Sequence, residues 1–211
     1  MPPADNLLSR LTWLKHASFL YDGSVRIAFD PWQVLLDRPV DLVLVTHGHY
    51  DHCDPETVSR ITAESSVVVA AGACADQLVG DVRPIRPGEV VKVGDVVITA
   101  TDAYNLQKKF HPRGEGAGFL VAVDGGTIFH AGDTDDIPET HGLKPDLALL
   151  PVGGTYTMDV PEAVRAAAAI GAGITVPMHY GFIVGSKGDG ERFAKEASGS
   201  TKVLTPVEPF P

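Results

Sequence analysis

Short apolar runs recur along the chain and are separated by turn residues. The run Leu42-Val43-Leu44-Val45 places four apolar residues in succession, whereas a half-exposed strand alternates between core and solvent. It therefore predicts a strand buried on both faces. Turn sequences such as Asp22-Gly23 predict that neighbouring runs pair as β-hairpins. The pattern predicts strands at 11–14, 18–21, 25–29, 42–45, 67–70, 82–85, 90–93, 96–101, 119–123, 127–130, 147–150, 174–176 and 202–204.

Helix signals are fewer. The clearest helix is an alanine-rich segment with Asp159 as its cap and Gly171 at its end, and another begins at Pro55 behind Asp54. The pattern predicts helices at 55–62, 73–78, 161–170 and 190–197. Strands punctuated by a few helices favour a layered α+β or mixed α/β fold.

A polar stretch at 102–118 interrupts this pattern. A structureless segment of that length inside a compact domain is usually a functional loop. The 211 residues fit one domain, 1–211, with room for a sizeable core. We find no repeat and no linker that would divide it.

Charge and cysteine content narrow the classes of function. The formal net charge is −10, and only 17 lysines and arginines are spread along the chain, so a nucleic-acid surface is not expected. Cys53 and Cys74 form no disulfide framework, residues 1–10 lack a signal-peptide pattern, and no apolar run reaches the length of a membrane span. We therefore expect a cytoplasmic protein with a small-molecule substrate, without a membrane or nucleic-acid partner; a homo-oligomer stays open.

The main chemical signal directly follows the buried run. Residues 46–52 read Thr-His-Gly-His-Tyr-Asp-His, which places three imidazoles and one carboxylate within six residues. These groups are ligands of Zn²⁺ and other divalent metals, and four of them exceed what one metal usually takes from one loop. A polar loop with scattered histidines is the alternative, which the cost of burying unpaired polar rings disfavours. Cys53 borders the loop, where a buried thiol is a commoner role than metal ligation.

Further polar groups follow other strands. His47, Asp133 and His179 each lie within about three residues of a predicted strand end, and the polar loop adds Asn105 and His111. Strands that end at one edge of a sheet would bring these side chains together on a rigid support.

Five motifs, in order, resemble the small lactonase-like metal-dependent hydrolases of the metallo-β-lactamase superfamily. Besides the histidine cluster, they are His-Ala-Ser-Phe at 16–19, Ala-Gly-Asp-Thr at 131–134, Gly-Gly-Thr-Tyr-Thr-Met at 153–158 and Pro-Met-His-Tyr at 177–180. The resemblance covers about residues 11–210. It implies a four-layer αβ/βα sandwich: two mixed sheets face to face, helices outside and metals at one edge.

The resemblance also implies a set of ligands for two divalent metals, with zinc favoured over manganese or iron. The ligands would be His47 and His49 for the first metal, Asp51, His52 and His179 for the second, and Asp133 as a bridge between them. The family has a third histidine on the first metal where this chain has Asn105. His111, six residues further on, can supply the missing imidazole; the sequence does not decide between them.

Two metals can share and activate a water, so no protein nucleophile is required. We find no nucleophile elbow, P-loop or dinucleotide motif. Asp51 and Asp133 are the predicted catalytic residues, and Asp51 would orient the attacking water or pass a proton to the leaving group. His16 and His130 are either partners that orient the ligands or plain buried histidines, and His141 is expected at the surface.

The first hypothesis is therefore a metal-dependent hydrolase of a small ester, lactone or phosphoester. The alternatives are a metal-binding or sensing protein without turnover, motivated by Asn105, and a di-iron oxidoreductase on the same scaffold. Relatives of the last kind carry a carboxylate where His49 stands and a separate flavin domain. The fold itself does not specify the substrate.

Overall fold

The strands form two sheets, each built from a continuous half of the chain. The computed structural model describes residues 2–211, and within them there are two six-stranded sheets whose spatial order follows the chain. The first sheet contains β1 (Leu11–Lys15), β2 (Ser18–Asp22), β3 (Arg26–Phe29), β4 (Val40–Val45), β5 (Thr62–Ala71) and β6 (Asp81–Ile85). The second contains β7 (Val90–Val93), β8 (Val96–Ala103), β9 (Gly116–Val123), β10 (Gly126–His130), β11 (Leu147–Pro151) and β12 (Ile174–Met178).

Both sheets are mixed. In the first, β1, β2 and β3 pair antiparallel, and β3 to β6 pair parallel. In the second, β7 to β10 pair antiparallel, and β10, β11 and β12 pair parallel. Parallel neighbours end on the same edge of a sheet, so the loops that follow them gather along that edge.

Strand β4 shows why the sheets stack. Leu42 and Leu44 enter the core shared with the second sheet, while Val43 and Val45 enter a separate core on the opposite face. Each of these side chains is fully buried, and burying one Leu or Val contributes about 1.5–3 kcal/mol. The prediction of a strand buried on both faces is confirmed.

Helices cover the outside of this sandwich. The helices are α1 (Pro3–Leu8), α2 (Pro55–Ile61), α3 (Val160–Ile170) and α4 (Asp189–Glu196), with 3₁₀ turns at Gly72–Gln77 and Pro138–Thr140. Helix α2 covers the outer face of the first sheet through Val58 and Ile61. On the second sheet, α3 and α4 contact each other, α4 also contacts the edge strand β12, and α3 contacts its neighbour β11. The predicted αβ/βα sandwich is therefore confirmed. Across residues 2–211, the helices are too short or too polar to cross a membrane.

Three sequence expectations need correction. The predicted strand at 202–204 is absent from the described chain, where Thr201 makes only an isolated bridge to Thr175. Helix α1 was not predicted, because no side chain caps its N-terminus. The polar loop is shorter than expected, because β8 and β9 continue pairing as far as Ala103 and Gly116; the segment that remains is 104–115.

Candidate metal centre

The histidine cluster lies in the connection between β4 and α2. The backbone turns tightly there, since His52 and Cys53 both donate their N–H groups to the carbonyl oxygen of His49. Asp54 then caps α2 by accepting the Thr57 N–H at 3.2 Å. The loop is thus fixed at both ends, by a buried strand and by a capped helix.

Three histidines form the first group of candidate ligand atoms. His47 Nε2 lies 3.0 Å from His49 Nδ1, and His111 Nε2 lies 3.2 Å from the same atom. Ligands that share one divalent ion are spaced in this way, because each lies about 2.0–2.1 Å from the metal. Burial lowers the pKa of His47 well below its usual value, so its imidazole is neutral and free to coordinate.

His111, not Asn105, completes this group. The Asn105 Oδ1 atom lies 3.1 Å from His111 Nδ1 and also accepts the His111 backbone N–H at 3.0 Å. The carbonyl oxygen of Tyr156 is 3.2 Å from the same ring nitrogen. Since both neighbours are acceptors, Nδ1 carries the proton and Nε2 faces the other two histidines. Asn105 orients the third imidazole without joining the group.

The second group surrounds Asp133. Its Oδ2 atom lies 3.1 Å from His179 Nε2 and 3.2 Å from His111 Nε2, while its Oδ1 atom lies 3.3 Å from His52 Nε2. Asp51 Oδ2 approaches His52 Nε2 at 3.8 Å. Asp133 therefore touches both groups, as the sequence prediction of a bridging carboxylate requires.

Buried polar atoms without hydrogen-bond partners, and the charges around them, show whether metal ions would fit between these side chains. His52 Nε2, Asp133 Oδ1 and both ring nitrogens of His179 are buried without a hydrogen-bond partner, a costly arrangement unless another group binds them. Burial opposes protonation of His52, but the Asp133 and Asp30 carboxylates outweigh it and raise its pKa well above its usual value. Burial likewise opposes ionisation of Asp133, yet His179 and His52 hold its pKa well below the usual range. The centre thus favours a positive charge between these side chains, and the donor set fits divalent metal ions.

Asp30 is a site residue that the sequence prediction missed. Its Oδ2 atom lies 2.7 Å from His52 Nδ1 and accepts the Thr46 hydroxyl at 2.7 Å, while Oδ1 accepts the Thr46 N–H at 2.7 Å. Thr46 Oγ1 in turn lies 3.0 Å from His47 Nδ1. One buried carboxylate therefore orients a histidine of each group.

His130, His141 and Cys53 lie outside these two groups. His130 is fully buried, donates Nε2–H to the carbonyl oxygen of Ala17 at 2.9 Å, and stacks on Phe29. His141 is at the surface and pairs with Asp136 at 2.9 Å, as expected. Cys53 is buried beside Cys74, and both thiols are free. His16 lies against His179, with the two ring centroids 3.8 Å apart.

A cavity of about 870 Å³ opens beside the metal centre. Its wall includes His47, His49, His111 and Asp133. The rest includes the 3₁₀ turn after β5, the end of β6 with the turn that follows it, and the loop at 104–115 with the adjoining ends of β8 and β9. This volume is within the range of sites for small molecules.

A sandwich of two mixed sheets with a histidine–aspartate centre at one edge is the architecture of the β-lactamase superfamily. Residues 10–179 match the family model described as "Beta-lactamase superfamily domain". A UPF0173 metal-dependent hydrolase of Methanosphaerula palustris is 33% identical over 215 residues, which cover 95% of this chain and 96% of that protein. This chain belongs to the β-lactamase superfamily and, within it, to the family of UPF0173 metal-dependent hydrolases.

Two solved structures extend the comparison. A proposed metal-dependent hydrolase from Parabacteroides distasonis superposes with a TM-score of 0.81 at 32% identity, covering 92% of this chain and 91% of that one. Igni18, a metallo hydrolase from the archaeon Ignicoccus hospitalis, superposes with a TM-score of 0.76 at 26% identity, covering 94% and 95% of the two chains. The likeness therefore spans the whole sandwich.

Proposed function

We propose that this protein hydrolyses a small ester, lactone or phosphoester with a centre of two divalent metal ions. The observation that carries the proposal is the position of Asp133, whose two carboxylate oxygens touch both groups of histidines at the wall of the cavity. The names of the relatives as metal-dependent hydrolases support the same class of reaction.

The donor atoms support zinc for both sites. The first group offers three imidazoles and the second offers imidazoles with carboxylates, and both sets suit zinc. Manganese or iron fits the carboxylate-containing group as well. When bound there, two such ions would lower the pKa of a shared water and polarise the carbonyl or phosphoryl oxygen of the substrate.

Protein side chains supply the orientation and the proton transfer. Asp133 holds the two groups at a fixed separation, and Asp30 fixes the proton of His52 on Nδ1. Asp51 is ionised, since burial, which opposes ionisation, is outweighed by the nearby imidazoles of His16 and His52, which keep the Asp51 pKa below its usual range. It can therefore accept a proton from the attacking water and deliver it to the leaving group.

The cavity supports a small substrate of mixed polarity. Its polar side chains include Arg86 and Gln77 together with the carboxylates of Asp76, Glu89 and Glu115. The overall charge of −10 does not favour a nucleic acid. Free, buried Cys53 and Cys74 support a reducing compartment such as the cytoplasm.

Metal content and turnover should be measured on the same preparation. We expect about two equivalents of zinc by elemental analysis and hydrolysis of some members of a panel of small esters, lactones and phosphoesters. In His52→Ala, we expect loss of one equivalent and of the hydrolysis. His141→Ala, an exposed histidine, is the matched control and should change neither.

The alternative functions give different results. Iron with a redox signal and no hydrolysis would indicate an oxidoreductase. Two tightly bound metals without turnover on any class of the panel would indicate a metal-binding protein. Full metal content in a folded His52→Ala variant would contradict the assignment of the second site.

A further inference from the structure

His16 occupies an unusual position where the two sheets meet. It lies in the turn between β1 and β2, and its carbonyl oxygen accepts the His179 N–H at 3.1 Å. Both histidines have positive φ angles, 48° and 58°, in the left-handed region that non-glycine residues rarely adopt. Trp13 Nε1 also donates to the His16 carbonyl oxygen at 2.8 Å. Surrounding contacts thus maintain strain at both residues, as is common at functional sites.

The His16 ring has no ordinary partner. The side chain is fully buried, and neither ring nitrogen makes a hydrogen bond. A buried imidazole with two unsatisfied nitrogens is costly and requires an explanation. Its nearest acidic atom is Asp51 Oδ2, 3.3 Å from Nε2, but the two atoms are not aligned as a hydrogen bond.

His16 belongs to a compact set of ligand atoms. One atom from each of His16, Asp51, His52 and His179 lies within 4.8 Å of all the others. Ligands of one divalent metal are separated by at most about 4.2 Å, twice a metal–nitrogen distance of about 2.1 Å, so only a small contraction is needed. All four side chains are buried, so exposure to bulk solvent does not satisfy them.

We infer that His16 is itself a ligand of the second metal. The inference rests on the proposed two-metal centre and adds a member to it. The second metal would then have three imidazoles, from His16, His52 and His179, in addition to Asp51 and the bridging Asp133. Such a set exceeds the four ligands of a tetrahedral zinc site and gives the second metal a higher coordination number than the first.

The test is a count of coordinated histidines in the cobalt(II)-substituted protein. Each imidazole bound to cobalt contributes one exchangeable N–H proton with a strongly shifted NMR resonance. Six such resonances are expected in the wild type, from His16, His47, His49, His52, His111 and His179. In His16→Gln, we expect one resonance fewer and at least tenfold weaker binding of one of the two cobalt ions.

The control is His130→Gln, which alters another fully buried histidine that lies outside the ligand groups. It should retain all six resonances. Five resonances in the wild type would overturn the role of His16 even if the variant does not fold, and so would an unchanged count in a folded His16→Gln. A wild type that takes up no cobalt would instead contradict the two-metal proposal itself.

Discussion

The Nδ1 atom of His52 lies 2.7 Å from the Oδ2 atom of Asp30, and both side chains are fully buried. Because an ionised carboxylate only accepts hydrogen bonds, the neutral imidazole that would bind a metal keeps its proton on Nδ1 and presents Nε2 towards Asp133. Asp30 also binds Thr46, which contacts His47. A single carboxylate, which would not itself contact metal, therefore sets the tautomer on which the centre depends.

Replacing Asp30 with Asn tests this relationship. The amide retains the size of the carboxylate but loses its charge, so we expect metal affinity at the second site to fall about 10–100-fold. Competition with a chromogenic chelator measures this change. Asp95→Asn, at an exposed turn, is the control and should bind metal as the wild type does. Unchanged affinity in Asp30→Asn would show that hydrogen bonding alone orients His52.

His111 and Asn105 are expected to behave differently when replaced. His111→Ala removes a ligand and should release one equivalent of metal. Asn105→Ala removes no ligand. It removes the Oδ1 atom that orients His111 and the amide that donates to Asp135 and Tyr156. Both metals should therefore still bind, with the affinity for the first lowered about tenfold or more. Titration calorimetry distinguishes the two outcomes. Loss of a full equivalent in Asn105→Ala, with His111→Ala unaffected, would identify Asn105 as the ligand.

Gly153 allows the backbone of His179 to pass close by. A Cβ atom at position 153 would overlap the His179 carbonyl oxygen and press on Val184. We expect Gly153→Ala to lower the free energy of unfolding by about 1–3 kcal/mol. By displacing His179, it should also lower the affinity for the second metal. Denaturant unfolding with and without metal measures both effects. In Gly188→Ala, a new Cβ meets no atom closer than 3.8 Å, so stability and affinity should stay near wild type.

Asp124 provides a pH-dependent contribution to stability. Its Oδ2 atom accepts hydrogen bonds from Arg10 and Tyr21, both at 2.6 Å, and from the Ser24 N–H at 3.1 Å. Burial opposes ionisation, but these donors outweigh it and lower the pKa of Asp124 from 3.8 to about 2. The ionised carboxylate therefore stabilises the fold fully above about pH 4, and this contribution is lost as the pH falls through about 2.

We expect Asp124→Asn to cost about 1–2 kcal/mol at pH 7. The difference from wild type should shrink as the pH is lowered from 4 towards 2. Urea unfolding of the metal-free proteins at several pH values measures the difference, since other titrating groups are common to both. A difference that is independent of pH down to 2 would contradict the role of the charge.

Much of the centre could be predicted because its pattern is local. His47, His49, Asp51 and His52 lie in one loop after a buried strand, so their proximity does not depend on the rest of the fold. Asp133 and His179 follow strands that end near the same edge, and the motif resemblance gave their roles. The structure places them together, and their binding of metal stays a prediction.

The features that could not be predicted from the sequence depend on the conformation of the loops. The segment at 104–115 has no periodicity, so the choice between Asn105 and His111 required their actual positions. Asp30 was overlooked, although it directly follows β3, the parallel neighbour of β4. An acidic residue at that position could have been recognised as a partner for the histidine loop. The strain at His16 and His179 has no signal in the residue pattern.

The division of the chain into two consecutive sheets has a consequence for assembly. His47, His49, Asp51 and His52 precede the short connection from Ile85 to Val90, whereas His111, Asp133 and His179 follow it. Neither half therefore carries a complete set of donors for either metal. If the backbone were cut in this connection, each fragment alone would bind metal weakly. A metal ion bound by donors from both fragments would stabilise their complex. Metal concentration would then govern the association of the two halves.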